Sequence, residues 1–128
     1  MSINRRIEEG CLILENTENG EIVRIRETID GGRAKVEPEG RLTQEAVHDL
    51  EDELTSMVLM CRQVTIDMSS VQYISNSVIH MILKIQHMMD DQEGTLKISG
   101  VGDSIWSRFQ EMGLEDVFEI ERTQDFLQ

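Results

Sequence analysis

Apolar and polar residues alternate along several short segments of this chain. The clearest segment has Val64, Ile66 and Met68 on one side and polar residues between them. Such alternation is typical of a β-strand with one buried face. Comparable patterns or short apolar runs predict further strands at residues 11–15, 21–28, 33–39, 95–99 and 117–120. Two glycines, Gly31 and Gly32, follow Asp30 and predict a tight turn between two of these strands.

Three longer segments repeat their apolar residues every three or four positions. This spacing predicts amphipathic helices near residues 43–60, 77–90 and 103–112. The order of strands and helices along the chain is that of an α/β fold. We expect Ile66, Ile82 and Phe109 to lie in the core, because each is on the apolar side of its element.

Polar residues mark where the second helix begins. The triplet Ser75-Asn76-Ser77 comes directly before its apolar repeat. A Ser or Asn side-chain oxygen can accept a free backbone N–H at that point, so the triplet predicts the N-terminus of the helix. A short turn through Ser69 and Ser70 is expected to lead into it from the preceding strand. A brief last helix, capped by Thr123, is expected at the end of the chain.

The second helix has one apolar and one polar side. A core-facing stripe is predicted for Val78, Ile82, Ile85 and Met89. The opposite stripe consists of Ser77, His80, Lys84, His87 and Asp91. We expect Met81 and Met88 to form an exposed edge of this stripe, which suits adaptable protein recognition. An ordinary amphipathic helix explains the same pattern equally well.

The charge of the chain narrows the kinds of partner. The net charge is −13 over 128 residues, which form a single domain. Such a surface repels nucleic acid and anionic membranes and favours basic protein partners, although solubility alone also explains it. No apolar run reaches the roughly 18 residues that span a bilayer, and residues 1–10 do not form a signal peptide. We therefore expect a cytoplasmic protein with no membrane insertion.

The sequence holds no residues arranged for catalysis or for binding a metal or cofactor. Cys11 and Cys61 lack metal or redox spacing and are expected to be reduced. His80 and His87 are seven residues apart, about 10 Å along a helix, too far for one metal ion. No Ser-His-Asp order, nucleophile elbow or phosphate-binding glycine loop occurs. An enzymatic function therefore has no candidate residues.

Three segments resemble the STAS domain family, the anti-sigma factor antagonists. The string YISNSVIHMIL, residues 73–83, resembles the family stretch (F/L)(I/M)DSSGLGVIL without a gap. Residues 101–120 are similar to the family segment V-S-P-x-V-x-R-x-F-x-x-x-G-L, and residues 39–43 to its G-E-L-D turn. The resemblance runs from about residue 21 to about residue 126.

The resemblance implies a fold and a division of the chain. The implied fold is a single mixed sheet of about five strands with three to four helices mainly on one face. Residues 21–128 would form the STAS-like domain. Residues 1–20 would form an N-terminal extension that adds a strand at a sheet edge or covers one.

The resemblance also implies a switch. In the family, a partner kinase phosphorylates the first serine of D-S-S-G, and phosphate blocks binding to the anti-sigma partner. In this chain the aspartate falls on Ser75, the phosphoacceptor on Asn76, the next serine on Ser77 and the glycine on Val78. Asn76 cannot take a phosphate and, being neutral, does not imitate one. Ser77 and, after it, Ser75 remain as candidate phosphosites.

Two functions follow from the resemblance. The first is a non-enzymatic regulatory module, a monomer or weak dimer, that binds an anti-sigma factor or serine-kinase-type regulator. The predicted binding surface is Ser75, Asn76, Ser77, His80 and Lys84. The alternative is a structural STAS subunit that is accessory to a transporter ATPase or part of a larger signalling assembly.

Overall fold

Residues 3–123, the part of the chain that the computed structural model describes, form a sheet of eight strands and three α-helices. The strands are β1 (Ile3–Glu8), β2 (Cys11–Asn16), β3 (Ile22–Asp30), β4 (Arg33–Leu42), β5 (Gln63–Asp67), β6 (Ser70–Ile74), β7 (Thr95–Val101) and β8 (Glu119–Arg122). The helices are α1 (Val47–Met60), α2 (Asn76–Asp91) and α3 (Asp103–Glu111). A short 3₁₀ turn, Gln44–Ala46, leads into α1.

The sheet is antiparallel in its first half and parallel in its second. The strand order is β1-β2-β3-β4-β5-β7-β8, and β6 pairs with the far end of β4. Each neighbouring pair among β1–β4 is antiparallel, whereas the pairs of β4 with β5 and β6, β5 with β7, and β7 with β8 are parallel. Gly31 and Gly32 form the predicted tight turn between β3 and β4, with φ of +59° and +81° that favour glycine. The mixed α/β fold is confirmed.

One face of the sheet packs against the helices. Val64 and Ile66 are buried there, whereas Thr65 between them faces the other side and is half-exposed. Ile66, Ile82 and Phe109 are all buried in this core, so the three core predictions are confirmed. The Phe109 ring meets that of Phe118 edge-on, with ring centroids 5.4 Å apart.

The prediction of about five strands is too low. Ser70, expected in a turn that leads directly into the second helix, begins strand β6. The ten-residue β4 extends past the end of β5, and its backbone groups at Glu39–Leu42 pair with β6 instead. β6 thus supplies partners for the backbone groups of β4 that β5 does not reach. Val71 and Ile74 add its apolar side to the core.

The predictions for the two ends of the chain have different outcomes. Residues 1–20, expected to add a strand at a sheet edge or to cover one, contain both β1 and β2, and β1 is an outermost strand of the sheet. The division of the chain at residue 20 stays a prediction. The short helix expected after Thr123 falls on residues 124–128, which lie outside the described residues.

A carboxyl pair lies between β3 and α1. Glu27 on β3 is hydrogen-bonded to Glu53 on α1, and one oxygen of Glu27 is buried with no other partner. Burial first, then the hydrogen bond and the repulsion from Glu53, raises the pKa of Glu27 to about 8. Arg5 on β1 pairs with Asp49 and reaches Glu53 at 3.8 Å, which attaches the edge strand to this helix.

This carboxyl pair should make stability depend on pH. An unfolded Glu27 ionises near 4.5, whereas the folded residue keeps its proton to about 8. The contribution of Glu27 to the free energy of unfolding is therefore fully present below pH 4.5 and is lost as the pH rises to 8. In Glu27→Gln this contribution disappears. Because Glu27 is partly exposed and screened, we expect a gain over the parent of only about 1–2 kcal/mol at alkaline pH, and little difference in acid.

Urea denaturation over a series of pH values measures this effect. Glu119→Gln, which changes an exposed carboxylate on β8 in the same way, is the matched control. The interpretation is wrong if the parent and Glu27→Gln keep a constant stability difference from acid to alkaline pH.

Candidate functional site

The start of α2 is fixed to the end of β4. The Ser75 backbone N–H donates to the Leu42 carbonyl at 3.0 Å, where β6 ends. The Ser75 hydroxyl accepts a hydrogen bond from the backbone N–H of Val78 at 3.3 Å. Ser75 is therefore the N-cap of α2, and the predicted helix start is confirmed. Its side chain is committed to this structural contact.

Ser77 is held by the same cap. Its hydroxyl lies 2.9 Å from the Ser75 hydroxyl, close enough for a hydrogen bond. The helical pattern predicts that Ser77 lies on the exposed stripe, but in the structure its side chain is half-buried. A modifying enzyme would therefore meet a partly covered hydroxyl that already has a partner.

Asn76 is exposed and bound by an arginine from α3. The Asn76 side-chain oxygen accepts a hydrogen bond from the Arg108 guanidinium. The Arg108 Nε donates to the Ile74 carbonyl at 3.3 Å, just before the helix. Position 76 thus has a positive charge beside it as well as the positive end of the α2 dipole. A negative group at this position would be stabilised by both.

Arg108 could not be identified from the sequence pattern. It lies 32 residues beyond Asn76 in the chain. It is the residue before Phe109, inside one of the family-like segments, but its contact depends on how α3 docks beside α2. No spacing in the sequence encodes that docking.

The polar stripe continues along α2 beside α1. His80 and His87 are exposed, as predicted. Lys84 is also exposed, at 64% of its side chain, but its ammonium lies 2.6 Å from a carboxylate oxygen of Glu51 on α1. The five predicted surface residues thus fall on the first turns of α2, although only Asn76, His80 and Lys84 are well exposed. Their use as a binding surface stays a prediction.

The expected exposed methionine edge is wrong. Met81 is buried, with 4% of its surface exposed, and Met88 is partly buried against the core. The reason is that α2 packs against both β7 and α1, so its buried arc is wider than a single stripe. Adaptable methionine contacts are therefore not available at this surface.

A second polar cluster, also missed from the sequence, lies at the ends of β5 and β7. Asp67 accepts hydrogen bonds from the Ser69 backbone N–H at 2.9 Å and from its hydroxyl at 2.5 Å. Burial raises the pKa of Asp67, but these bonds and Lys35 outweigh it and hold that pKa below its usual value. Gly100 has φ of +67°, and a Cβ there would come within 2.6 Å of the Asp67 carboxylate. The cluster fixes the turn between β5 and β6, and with it the approach to α2.

The described part of the chain offers neither a metal site nor a membrane-spanning helix. Among residues 3–123, no three His, Cys, Asp or Glu side chains lie close enough together to hold a metal ion. No helix there is both long and apolar enough to cross a membrane.

Comparison with solved structures shows which known proteins share this fold. An anti-sigma factor antagonist from Mycobacterium paratuberculosis is 16% identical, with a TM-score of 0.71, and covers 80% of this chain and 88% of its own. A putative antagonist from Thermotoga maritima is 14% identical, with a TM-score of 0.71 and coverages of 77% and 86%. A sulfate transporter family protein from Wolinella succinogenes is 16% identical, with a TM-score of 0.60 and coverages of 73% and 80%. At these identities the likeness shows a common fold.

Comparison with sequence families identifies the family to which this chain belongs. No curated protein matches this chain. The family described as "Mlab, STAS domain" matches residues 25–121, most of the chain, including all three helices, β4–β7 and most of β8. The resemblance of its three segments is thereby confirmed, and this chain belongs to the STAS domain family.

Proposed function

We propose that this chain is a non-enzymatic regulatory module that binds another protein through the start of α2. The binding surface is Ser75, Asn76, Ser77, His80 and Lys84. The partner is an anti-sigma factor or a serine-kinase-type regulator, and the setting is the cytoplasm. The observation that carries the proposal is the exposed Asn76, held by Arg108 at the position that the resemblance aligns with the phosphoacceptor of the family. The similar folds of two anti-sigma factor antagonists support it.

The binding is proposed to be independent of phosphate at position 76. An asparagine amide has no hydroxyl to modify and carries no charge. Any phosphate control would use Ser77, because Ser75 caps the helix. A phosphate on Ser77 would lie near the positive end of α2 and leave the helix folded. It would add about −1.5 to −2 charges to the binding surface and so change the affinity for the partner.

A structural role is the second candidate. The Asn76–Arg108 hydrogen bond gives the start of α2 one fixed arrangement, which suits a permanent subunit better than a switch. The similar fold of a sulfate transporter family protein supports an accessory role beside a transporter, and we propose a transporter ATPase as that partner. The two candidates differ in the partner recovered: an anti-sigma or kinase-type regulator supports the first, and an ATPase supports the second.

Charge reversal at Lys84 tests the binding surface. With the partner recovered by affinity capture from the host cells, we expect Lys84→Glu to weaken binding about tenfold, because charges across an interface are locally matched. The thermal stability should change by less than about 0.5 kcal/mol, because the ion pair with Glu51 is on the surface.

Glu51→Gln is the matched control for this measurement. It removes the same ion pair but leaves the positive charge of Lys84 in place. Titration calorimetry should show parent-like affinity for Glu51→Gln and weakened affinity for Lys84→Glu. Equal affinity for Lys84→Glu and the parent would exclude this part of the surface.

A further inference from the structure

The outer edge of the sheet at β1 has no strand beside it among residues 3–123. β1 joins β2 through a two-residue turn at Glu9 and Gly10, with φ of +53° and +78°, and Glu8 pairs with Cys11 across it. The residues that close such a turn exchange backbone hydrogen bonds with each other. The alternate residues of β1 therefore direct their backbone groups outward. Those residues are Ile3, Arg5 and Ile7.

Ile7 is the apolar centre of this edge. Its side chain is 70% exposed, more than that of the other large apolar side chains on the described strands. An exposed edge strand with an apolar centre is a surface that pairs readily with another strand. Natural edges of this kind are usually protected by charge, so the charges beside Ile7 decide what can bind.

Those charges are antisymmetric about Ile7. Two arginines, Arg5 and Arg6, come before it and two glutamates, Glu8 and Glu9, come after it. If a second copy lies antiparallel with Ile7 opposite Ile7, then Arg6 lies opposite Glu8 of the second copy. Side chains that lie opposite each other in an antiparallel pair point to the same face and interact. Two such ion pairs form, because the arrangement has two-fold symmetry.

The backbone geometry allows the same register. With Ile7 opposite Ile7, the outward N–H and C=O groups of Ile7 face those of the second copy and can form a hydrogen-bonded pair. A register centred on Arg6 would also pair outward backbone groups, those of Ile7 with those of Arg5, but it places Arg6 against itself. A register centred on Arg5 places Arg5 against itself. All three registers satisfy the outward backbone groups, so the charges decide, and they favour Ile7 as the centre.

The charges on β8, at the other edge of the sheet, do not favour antiparallel pairing with a second copy. β8 carries Glu119, Ile120 and Glu121. Antiparallel pairing about Ile120 would place Glu119 opposite Glu121 of the second copy, and like charges in that position are destabilising. Self-pairing is therefore specific to β1 and closes after two copies rather than growing into a fibre.

We propose that a second copy of this chain binds along β1, with Ile7 on the two-fold axis and Arg6 paired with Glu8 across it. In the free chain Arg6 pairs with Glu8 and Glu15 on its own sheet face, with its guanidinium 2.7 Å from Glu15. In the dimer Arg6 retains its ion pair with Glu15, and its ion pair with Glu8 of the same chain is replaced by one with Glu8 of the second copy. The contact is short, so the dimer is weak and dissociates as salt screens the ion pairs. It leaves the start of α2 free and does not depend on the proposed partner.

Charge-reversal variants test this interface by sedimentation equilibrium at low salt. Arg6→Glu and Glu8→Arg should each raise the dissociation constant of the dimer about tenfold, because two opposite-charge pairs become like-charge pairs. An equimolar mixture of the two variants should dimerise like the parent, since each like-charge pair is then replaced by an opposite one. The double variant, Arg6→Glu with Glu8→Arg, should also recover dimerisation.

Glu119→Arg is the matched control, because it changes net charge as Glu8→Arg does but lies on the opposite edge. It should dimerise like the parent. Circular dichroism checks that each variant is folded, and the mixture keeps the test valid if one variant loses some stability. A parent that stays monomeric at millimolar concentration overturns the proposal. A mixture of two folded variants that fails to associate also overturns it.

Discussion

Replacing Phe109 by Ala is expected to lower the free energy of unfolding by about 3–5 kcal/mol. Phe109 is fully buried where α3 packs on the sheet, and its ring meets that of Phe118 edge-on. The substitution removes this aromatic contact and leaves a cavity that the surrounding elements can only partly fill. Ile66→Ala and Ile82→Ala should cost about 2–5 kcal/mol each for the same reason.

Urea denaturation followed by circular dichroism measures these losses. Val117→Ala is a suitable control, because Val117 is 45% exposed before β8 and its truncation leaves no closed cavity. We expect it to cost less than about 1 kcal/mol. If Phe109→Ala, Ile66→Ala and Ile82→Ala all cost less than about 1 kcal/mol, the assignment of the buried faces is wrong.

Replacing Asn76 by Ser is expected to create a phosphoacceptor where the parent has none. The new hydroxyl would lie at the exposed first residue of α2, beside Arg108. A serine kinase of the kind that acts on antagonists of this family should therefore phosphorylate the variant at residue 76. The arginine and the helix dipole would both stabilise the added charge, so the fold should not change.

Mass spectrometry after incubation with the kinase distinguishes the outcomes. Asn76→Gln, which keeps an amide and adds no hydroxyl, is the control and should stay unmodified. Phosphate on Ser77 of the parent would show that the switch has moved by one residue. Phosphate on neither protein, with partner binding intact, would favour the structural subunit over the regulatory module.

Much of the fold could be predicted because it depends on local pattern. The alternation around Ile66 and the helical spacing around Ile82 each reflect one buried side of an element, and both residues are in the core. The Ser75 cap was predictable for the same reason, since it bonds to a backbone group three residues away. Such features need no knowledge of distant parts of the chain.

The parts that the sequence did not predict all depend on distant contacts. Strand β6 exists because β4 extends past β5, and its five residues alone do not distinguish a strand from a turn. Met81 is buried because α1 covers the side of α2 that a single stripe leaves open. At the site itself, Asn76 was identified by resemblance, but its partner Arg108 comes from α3. Each of these contacts is set by packing between elements.

Site-specific photo-crosslinking tests the central claim, that a protein partner binds at the start of α2, most directly. A benzoylphenylalanine would replace either exposed His80 on α2 or exposed Asp30, the last residue of β3 before the β3–β4 turn. The Gly32 carbonyl in that turn accepts a hydrogen bond from the Arg62 backbone N–H at 3.1 Å, so the turn lies near the end of α1. It is at the opposite end of β4 from Leu42, whose carbonyl binds Ser75. Irradiation in the host cells should link the partner to position 80 and not to position 30. Equal linkage at both positions, or linkage at position 30 alone, would contradict the proposed surface.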